Sequence, residues 1–263
     1  GRIYALGGLL GGHSGLVTRA PVRTPHHGAS LEGMIGGGAQ ITPGEASLAH
    51  MGMLFLDEAA EFRRDVLEAL REPAEDGVIR LARAGYQHEF PARFQLVMTS
   101  NRCRCGNLGS EHSPCLCAPS QISAYQQRLS GALLDRIELI VGTGMNMGSS
   151  EKLDEQGSRE DPVLSPPIED TEHQSAQQAA RARVLQARET LYRTSSKTAT
   201  QVSTERARQL LSEAAGRLGL SFRACGAVMQ VARTIAALET KDVVIPDHVS
   251  EAVELRRNGP TRA

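Results

Sequence analysis

Hydrophobic and polar positions divide the chain into two regimes. In the first part, short apolar runs end abruptly in polar residues. Met53-Leu54-Phe55-Leu56 runs into Asp57-Glu58 and predicts a buried parallel strand over 53–58, with carboxylates delivered at its C-terminal edge. Phe62, Val66, Leu67 and Leu70 then fall at helical spacing, and Pro73 with Gly77 marks the end of that helix. Residues 78–90 alternate, which predicts a hairpin turning near Ala84-Gly85. Phe94–Met98 reads as a second buried strand leading into Thr99-Ser100-Asn101. Strand, helix, hairpin and strand make an α/β core over 1–141. Residues 142–175 are rich in Gly, Ser, Pro and acid with little periodicity, as expected of a flexible linker. From 176 to 263 the pattern becomes helical. Ala180, Val184, Ala187 and Leu191 form one stripe, and Ala207, Leu210, Leu211, Ala214 and Leu218 form a second, closed by Gly219. Val228, Val231, Ala232, Ile235 and Leu238 form a third, and Asp247 is placed to cap a helix carrying Val249, Ala252 and Val253. The stripes are read as the core of a small helical bundle.

Composition narrows the classes. With 263 residues, 40% hydrophobic and 22% charged, the chain supports a full core plus a smaller second domain, which excludes general disorder and a collagen-like fibre. It has neither an apolar run of membrane-spanning length nor a signal-peptide core, so a cytoplasmic protein without a membrane partner is expected. The first residue is Gly1, so the chain is expected to be processed or part of something longer. Aromatics at 3% with no Trp argue against a single-strand binder built on base stacking. Residues 142–175 hold 2 Lys/Arg against 8 Asp/Glu, whereas residues 176–263 hold 14 against 8. Arg outnumbers Lys 26 to 3, which suits phosphate recognition, although solvated helices carry such charge as well.

Three constellations carry chemistry. Leu54-Phe55-Leu56-Asp57-Glu58 has the form of a Walker B element, in which the Asp holds Mg²⁺ and the Glu positions the attacking water. Asn101, beyond the next strand, stands where a side chain can orient that water, and Arg136 in Leu133-Leu134-Asp135-Arg136 can stabilise charge on a neighbouring subunit's phosphate. Cys103, Cys105, Cys115 and Cys117 offer four thiolates, the number a closed Zn²⁺ site needs. Reduced surface cysteines are the alternative, and His112 in the same loop could replace one thiolate. Cys225 is read as a core residue. His26 and His27 follow Pro25 and are read as a satisfied loop pair, since adjacent histidines do not easily share one metal.

Together with Thr24-Pro25-His26-His27, Gly36-Gly37-Gly38, the run from Pro43 to His50, Phe90 to Phe94, Ser130 to Ile137, Leu220 to Arg223 and Val231 to Ala236, these motifs resemble the magnesium-chelatase-like AAA+ ATPases. Within that family they are similar to the competence-associated helicases of the ComM and YifB kind. The resemblance implies an AAA+ α/β core followed by an α-helical lid domain. It implies ATP and Mg²⁺ as cofactors, Asp57 and Glu58 as Walker B, Asn101 as sensor 1, Arg136 as arginine finger and Arg223 as sensor 2. It further implies a ring hexamer around DNA, with the 78–90 hairpin facing the pore and Arg80, Arg83 and Arg93 as candidate DNA contacts.

The departures matter as much. A P-loop needs Gly-Lys-Ser/Thr, and Lys152, Lys197 and Lys241 each lack a preceding Gly, so this stretch has no Walker A. The resemblance puts the P-loop upstream of Gly1, making the chain the C-terminal part of a longer protein or a truncated paralogue. Ala59-Ala60 stands where relatives carry a bulkier pair, and Cys225-Gly226-Ala227 replaces a Tyr-Asp-Arg-like run. The expected function is ATP-driven helicase or branch-migration work on DNA in recombination or natural transformation, with the chain alone inactive. The alternatives are a nucleotide-dead module for ring assembly or DNA binding, and a chelatase-type motor for metal insertion.

Overall fold

A computed structural model describes residues 2–8, 19–83, 86–110, 113–142, 170–199 and 201–257. They belong to two compact units, Gly1–Ile137 and Glu138–Ala263.

The first unit is mixed α/β. In chain order it contains α1 (Arg2–Leu6), β1 (Val22–Arg23), α2 (Leu31–Ile35), β2 (Gly36–Gly37), β3 (Thr42–Pro43), α3 (Glu45–Leu48) and β4 (Met53–Leu56). A single tight turn, Ala59–Glu61, leads into α4 (Arg64–Ala69) and α5 (Arg71–Asp76). Then come β5 (Val78–Arg83), β6 (Tyr86–Pro91), β7 (Gln95–Met98), α6 (Pro119–Gln126) and α7 (Gly131–Leu134).

Three strands form a parallel sheet in the order β1-β4-β7, with Leu54 opposite Leu96 and Leu56 opposite Met98. Leu54 and Leu56 are fully buried and pack with Met34, Phe62, Val66, Leu67 and Leu70 in one core. Each such leucine contributes about 1.5–3 kcal/mol relative to exposure. The predicted parallel strand is present as β4 and delivers Asp57 and Glu58 just past its last paired residue, Leu56. β1 carries only two residues, too few to show a period. It is held by Met53 N–H donating to the Pro21 carbonyl and by a two-pronged ion pair from Arg23 to Glu45, with both contacts at 2.6 Å. Gly52 permits this approach, since a Cβ there would stand 1.9 Å from the Pro21 oxygen.

The expected helix end at Pro73 is also corrected. The helix breaks at Leu70 and resumes as α5, in which Pro73 sits in the first turn and needs no donor. Gly77, at φ 68°, ends it in the left-handed conformation. The hairpin is present as β5 and β6 in antiparallel register from Val78–Pro91 to Arg83–Tyr86, and its turn at Ala84-Gly85 lies outside the described residues.

The second unit is helical in its described residues: α8 (Asp170–Arg193), α9 (Glu205–Leu218), α10 (Phe222–Leu238) and α11 (Pro246–Arg257). Thr204 and Ser221 cap α9 and α10 through their hydroxyls, accepting from Ala207 N–H and Ala224 N–H, and Gly219 closes α9 at φ 61°. Asp247 is not a cap: Pro246 opens α11 and Asp247 is its second residue. The core gathers Ala207, Val228, Ala232, Ile235, Val249 and Ala252. His248, 1% exposed, accepts from Ile245 N–H at Nδ1 and meets Glu239 through Nε2 at 3.1 Å. The stripe expected on α8 is buried only near its end. Ala187 is buried, but Ala180 is exposed and Val184 is 47% exposed, because the contacts to α10 come at the C-terminal turns, where Arg233 donates to Thr194 and Lys197 carbonyls. Residues 170–175 of the expected linker are helical, and 143–169 lie outside the described residues. Among the described residues no helix is long and apolar enough to cross a membrane.

Candidate functional site

Parallel pairing of β4 with β7 puts the residues that follow the two strands side by side. The hydroxyl of Thr99 donates to Asp57 Oδ1 at 2.5 Å and accepts from Glu58 N–H at 3.0 Å, while its carbonyl accepts from Ala59 N–H at 2.8 Å. Glu58 itself adopts φ 50°, ψ 48°, a left-handed conformation that costs a non-glycine residue about 1–2 kcal/mol. The three bonds to Thr99 offset that strain and turn the chain sharply at the acid pair. Thr99 is therefore the residue that organises the acids. Asn101 lies two residues further on, exposed, its main-chain carbonyl accepting from the Ser100 hydroxyl.

The acid pair opens onto a cleft of about 410 Å³ lined by Thr24, Pro25, His26, His27, Phe55, Asp57 and Glu58. His26 and His27 form the bonded loop pair expected of them, and they stand at the edge of this cleft. Both are exposed and both line this cleft. Their rings stack at 4.0 Å between centroids, and His27 meets buried Phe62 edge-on at 6.4 Å. His26 Nδ1 accepts from Gly28 N–H at 3.0 Å. Adjacency in sequence hid this role, because it argued only against a shared metal.

The loop between β7 and α6 gathers the four cysteines. Their sulfurs all lie within 4.8 Å of one another, and those of Cys103, Cys105 and Cys115 stand 3.4 to 3.6 Å apart. Four sulfurs bound to one Zn²⁺ at 2.3 Å would stand about 3.8 Å apart, so the quartet fits a tetrahedral ion with small adjustments. The main-chain amide of Asn107, with the Cys103 thiol and the amide of Leu116, lowers the Cys105 thiol to about 6. Such donors favour the thiolate that a metal requires. His112 lies outside the described residues. The reading of Cys225 as a core residue is corrected: it is only half-buried on α10 and lies outside the second unit's core.

After the cysteine loop, α6 returns toward the acids. Gln126 Nε2 donates to the Arg102 carbonyl, buried Tyr125 bonds the Ser100 hydroxyl, and Arg128 pairs with Glu61 at 3.3 Å. Burial, with the charge of Glu61 and Glu58, pushes the Tyr125 hydroxyl above its usual range. Neither Tyr125 nor Arg128 carries a sequence signal of its own.

The candidate cations are placed differently. Arg136 donates to the Arg71 and Ala132 carbonyls and to Glu75 at 2.6 Å, leaving its side chain 17% exposed. Arg80 pairs with Glu72, Asp76 and Glu89, which raise its affinity for its proton and largely cancel its charge. Arg93 is exposed and its stem covers Gly77, whereas the side chain of Arg83 lies outside the described residues. Arg223 is exposed at the second position of α10, in the other unit.

Comparison with known proteins adds to this geometry. Residues 2–151 match the family model described as magnesium chelatase, subunit ChlI, and residues 171–256 match that of the ChlI C-terminal part. Over 248 residues the chain is 40% identical to the uncharacterised protein YifB of Escherichia coli, covering 90% of this chain and 45% of the relative. It is 37% identical over 247 residues to the competence protein ComM of Haemophilus influenzae, with the same coverage. An uncharacterised protein of Mycobacterium tuberculosis is 47% identical over 140 residues, covering 53% of this chain and 27% of that protein. The chain thus spans about half the length of the first two relatives.

Proposed function

The chain belongs to the magnesium chelatase ChlI family, and from that footing we propose that it supplies the metal-holding and water-positioning side of an AAA+ ATP-hydrolysis site in a motor that acts on DNA. One observation carries this reading: Asp57, Glu58 and Thr99 converge at the carboxyl ends of adjacent parallel strands, where α/β sheets take their ligands. Thr99 engages Oδ1 of Asp57, and Oδ2 would hold Mg²⁺. When bound, the ion supplies neutralising charge to the nucleotide phosphates. Glu58 would orient the attacking water and hold its proton at the carboxylate, with Asn101 assisting. Arg136 spends three of its five N–H donors within its own chain, and the remaining two are those a neighbouring subunit's phosphate would use.

The cysteine quartet would hold Zn²⁺ as a closed structural site between β7 and α6. Work on DNA is supported by exposed Arg181, Arg183 and Arg188 on α8, and a ring hexamer is proposed with it. Arg80, balanced by three carboxylates, adds little to that surface. A second reading, a ring-assembly or DNA-binding module without turnover, is favoured by the burial of Arg136 against Glu75. ATPase and strand-displacement assays on the complete gene product decide between them. Turnover that Glu58→Gln abolishes while ATP binding persists supports the motor. Turnover unchanged in that variant overturns the assigned role of Glu58, and binding to DNA without any turnover selects the module.

A further inference from the structure

Among the described residues that line the cleft beside Asp57 and Glu58, the side-chain nitrogens are those of His26 and His27. His26 is the better defined of the two. Its Nδ1 accepts the Gly28 N–H, so a neutral ring carries its hydrogen on Nε2, and the tautomer is set by the fold rather than by a ligand. Its ring lies against that of His27 at a 35° tilt, and His27 meets buried Phe62 edge-on. An N–H donor beside two carboxylates suits an anion that arrives with its own cation. Repulsion by the carboxylates would exclude a bare anion.

We propose that His26 is a positioning residue that donates from Nε2 to a phosphate oxygen of the metal–nucleotide complex in this cleft. The inference rests on the nucleotide reading given above and adds a ligand contact from a second residue of the same cleft. Because that contact is to an ionised group, its loss should weaken binding about tenfold.

Two substitutions separate this role from a structural one. His26→Asn keeps an acceptor near the Nδ1 position for Gly28 N–H and has no donor that reaches the Nε2 position, whereas His26→Gln keeps one there. The complete gene product is titrated with Mg²⁺·ATP while imidazole ¹⁵N and backbone amide resonances of this segment are followed, which does not require turnover. The expected result is a hydrogen on His26 Nε2 in the free chain and a shift of that nitrogen together with the Glu58 and Thr99 amides. Binding should then be about tenfold weaker in His26→Asn and close to the parent in His26→Gln. Shifts at Glu58 and Thr99 with Nε2 unmoved, or equal affinity in His26→Asn, overturn the role of His26 while sparing the nucleotide reading. No shift at any of the three overturns both.

Discussion

The Thr99 hydroxyl lies 2.5 Å from Asp57 Oδ1, and the same oxygen accepts the Glu58 N–H at 3.0 Å. One side chain at the end of β7 thereby sets the carboxylate at the end of β4 and the backbone of the acid that follows it. The link depends on parallel in-register pairing, since a slip of one residue would turn Thr99 to the other face of the sheet.

Thr99→Val keeps the shape and removes both bonds. It should destabilise the first unit by about 0.5–1.5 kcal/mol, since the exposed Glu58 N–H can turn to water. Thr99→Ser should recover most of that loss. Urea unfolding of the two variants, with equal m values, is the check; equal stability of Val and parent would mean that the hydroxyl bridge is not formed in solution.

Glu58 stores strain that its function would require. Glu58→Gly should be more stable than Glu58→Ala by about 1 kcal/mol, since glycine adopts φ 50° without a Cβ penalty. Thermal unfolding of the pair reads this directly. Equal midpoints would show that the turn relaxes out of the left-handed region once the carboxylate is gone.

The cysteine quartet should carry about one Zn²⁺ per chain under reducing conditions. Chelation, or Cys103→Ser at the fully buried member, should loosen the cysteine loop and α6 together, because the loop leads into α6 through the Gln126 bond to the Arg102 carbonyl. Metal analysis with hydrogen exchange over 102–128 tests this. Metal-free protein with the loop fully protected would refute it.

Much of this arrangement is legible in the sequence. Leu54 and Leu56 announce a buried strand, the 78–90 alternation announces the hairpin, and four cysteines within a short span announce a cluster. β1 escapes because Val22-Arg23 is held by an ion pair from Arg23 to distant Glu45 and by main-chain bonds, which leave no period. Asn101 draws attention as the polar residue beyond a strand, yet register rather than residue type decides which side chain reaches Asp57, and that is Thr99. His26 and His27 enter the cleft because β1 lies beside β4, a neighbour relation between residues far apart in the chain. On α8 the apolar spacing is real, but Val184 finds no partner among the described residues of its own unit.

Arg136 is bound to its own chain through two carbonyls and Glu75. Arg136→Ala should cost about 2–3 kcal/mol, much of it from the acceptors left without partners, and Arg136→Lys should recover little because an ammonium cannot span all three. Denaturant midpoints of the two variants decide this. A loss below about 0.5 kcal/mol in Arg136→Ala would indicate a side chain free to serve a neighbouring subunit.

The central claim is that the Asp57–Thr99–Glu58 cluster takes a divalent ion together with a nucleotide. Paramagnetic Mn²⁺, substituted for Mg²⁺ in a titration with ATP, reports the position of the ion without requiring hydrolysis. Mn²⁺·ATP should broaden the amide resonances of Asp57, Glu58 and Thr99 first, and the broadening should disappear in Asp57→Asn. Broadening centred elsewhere, or unchanged in Asp57→Asn, would contradict it.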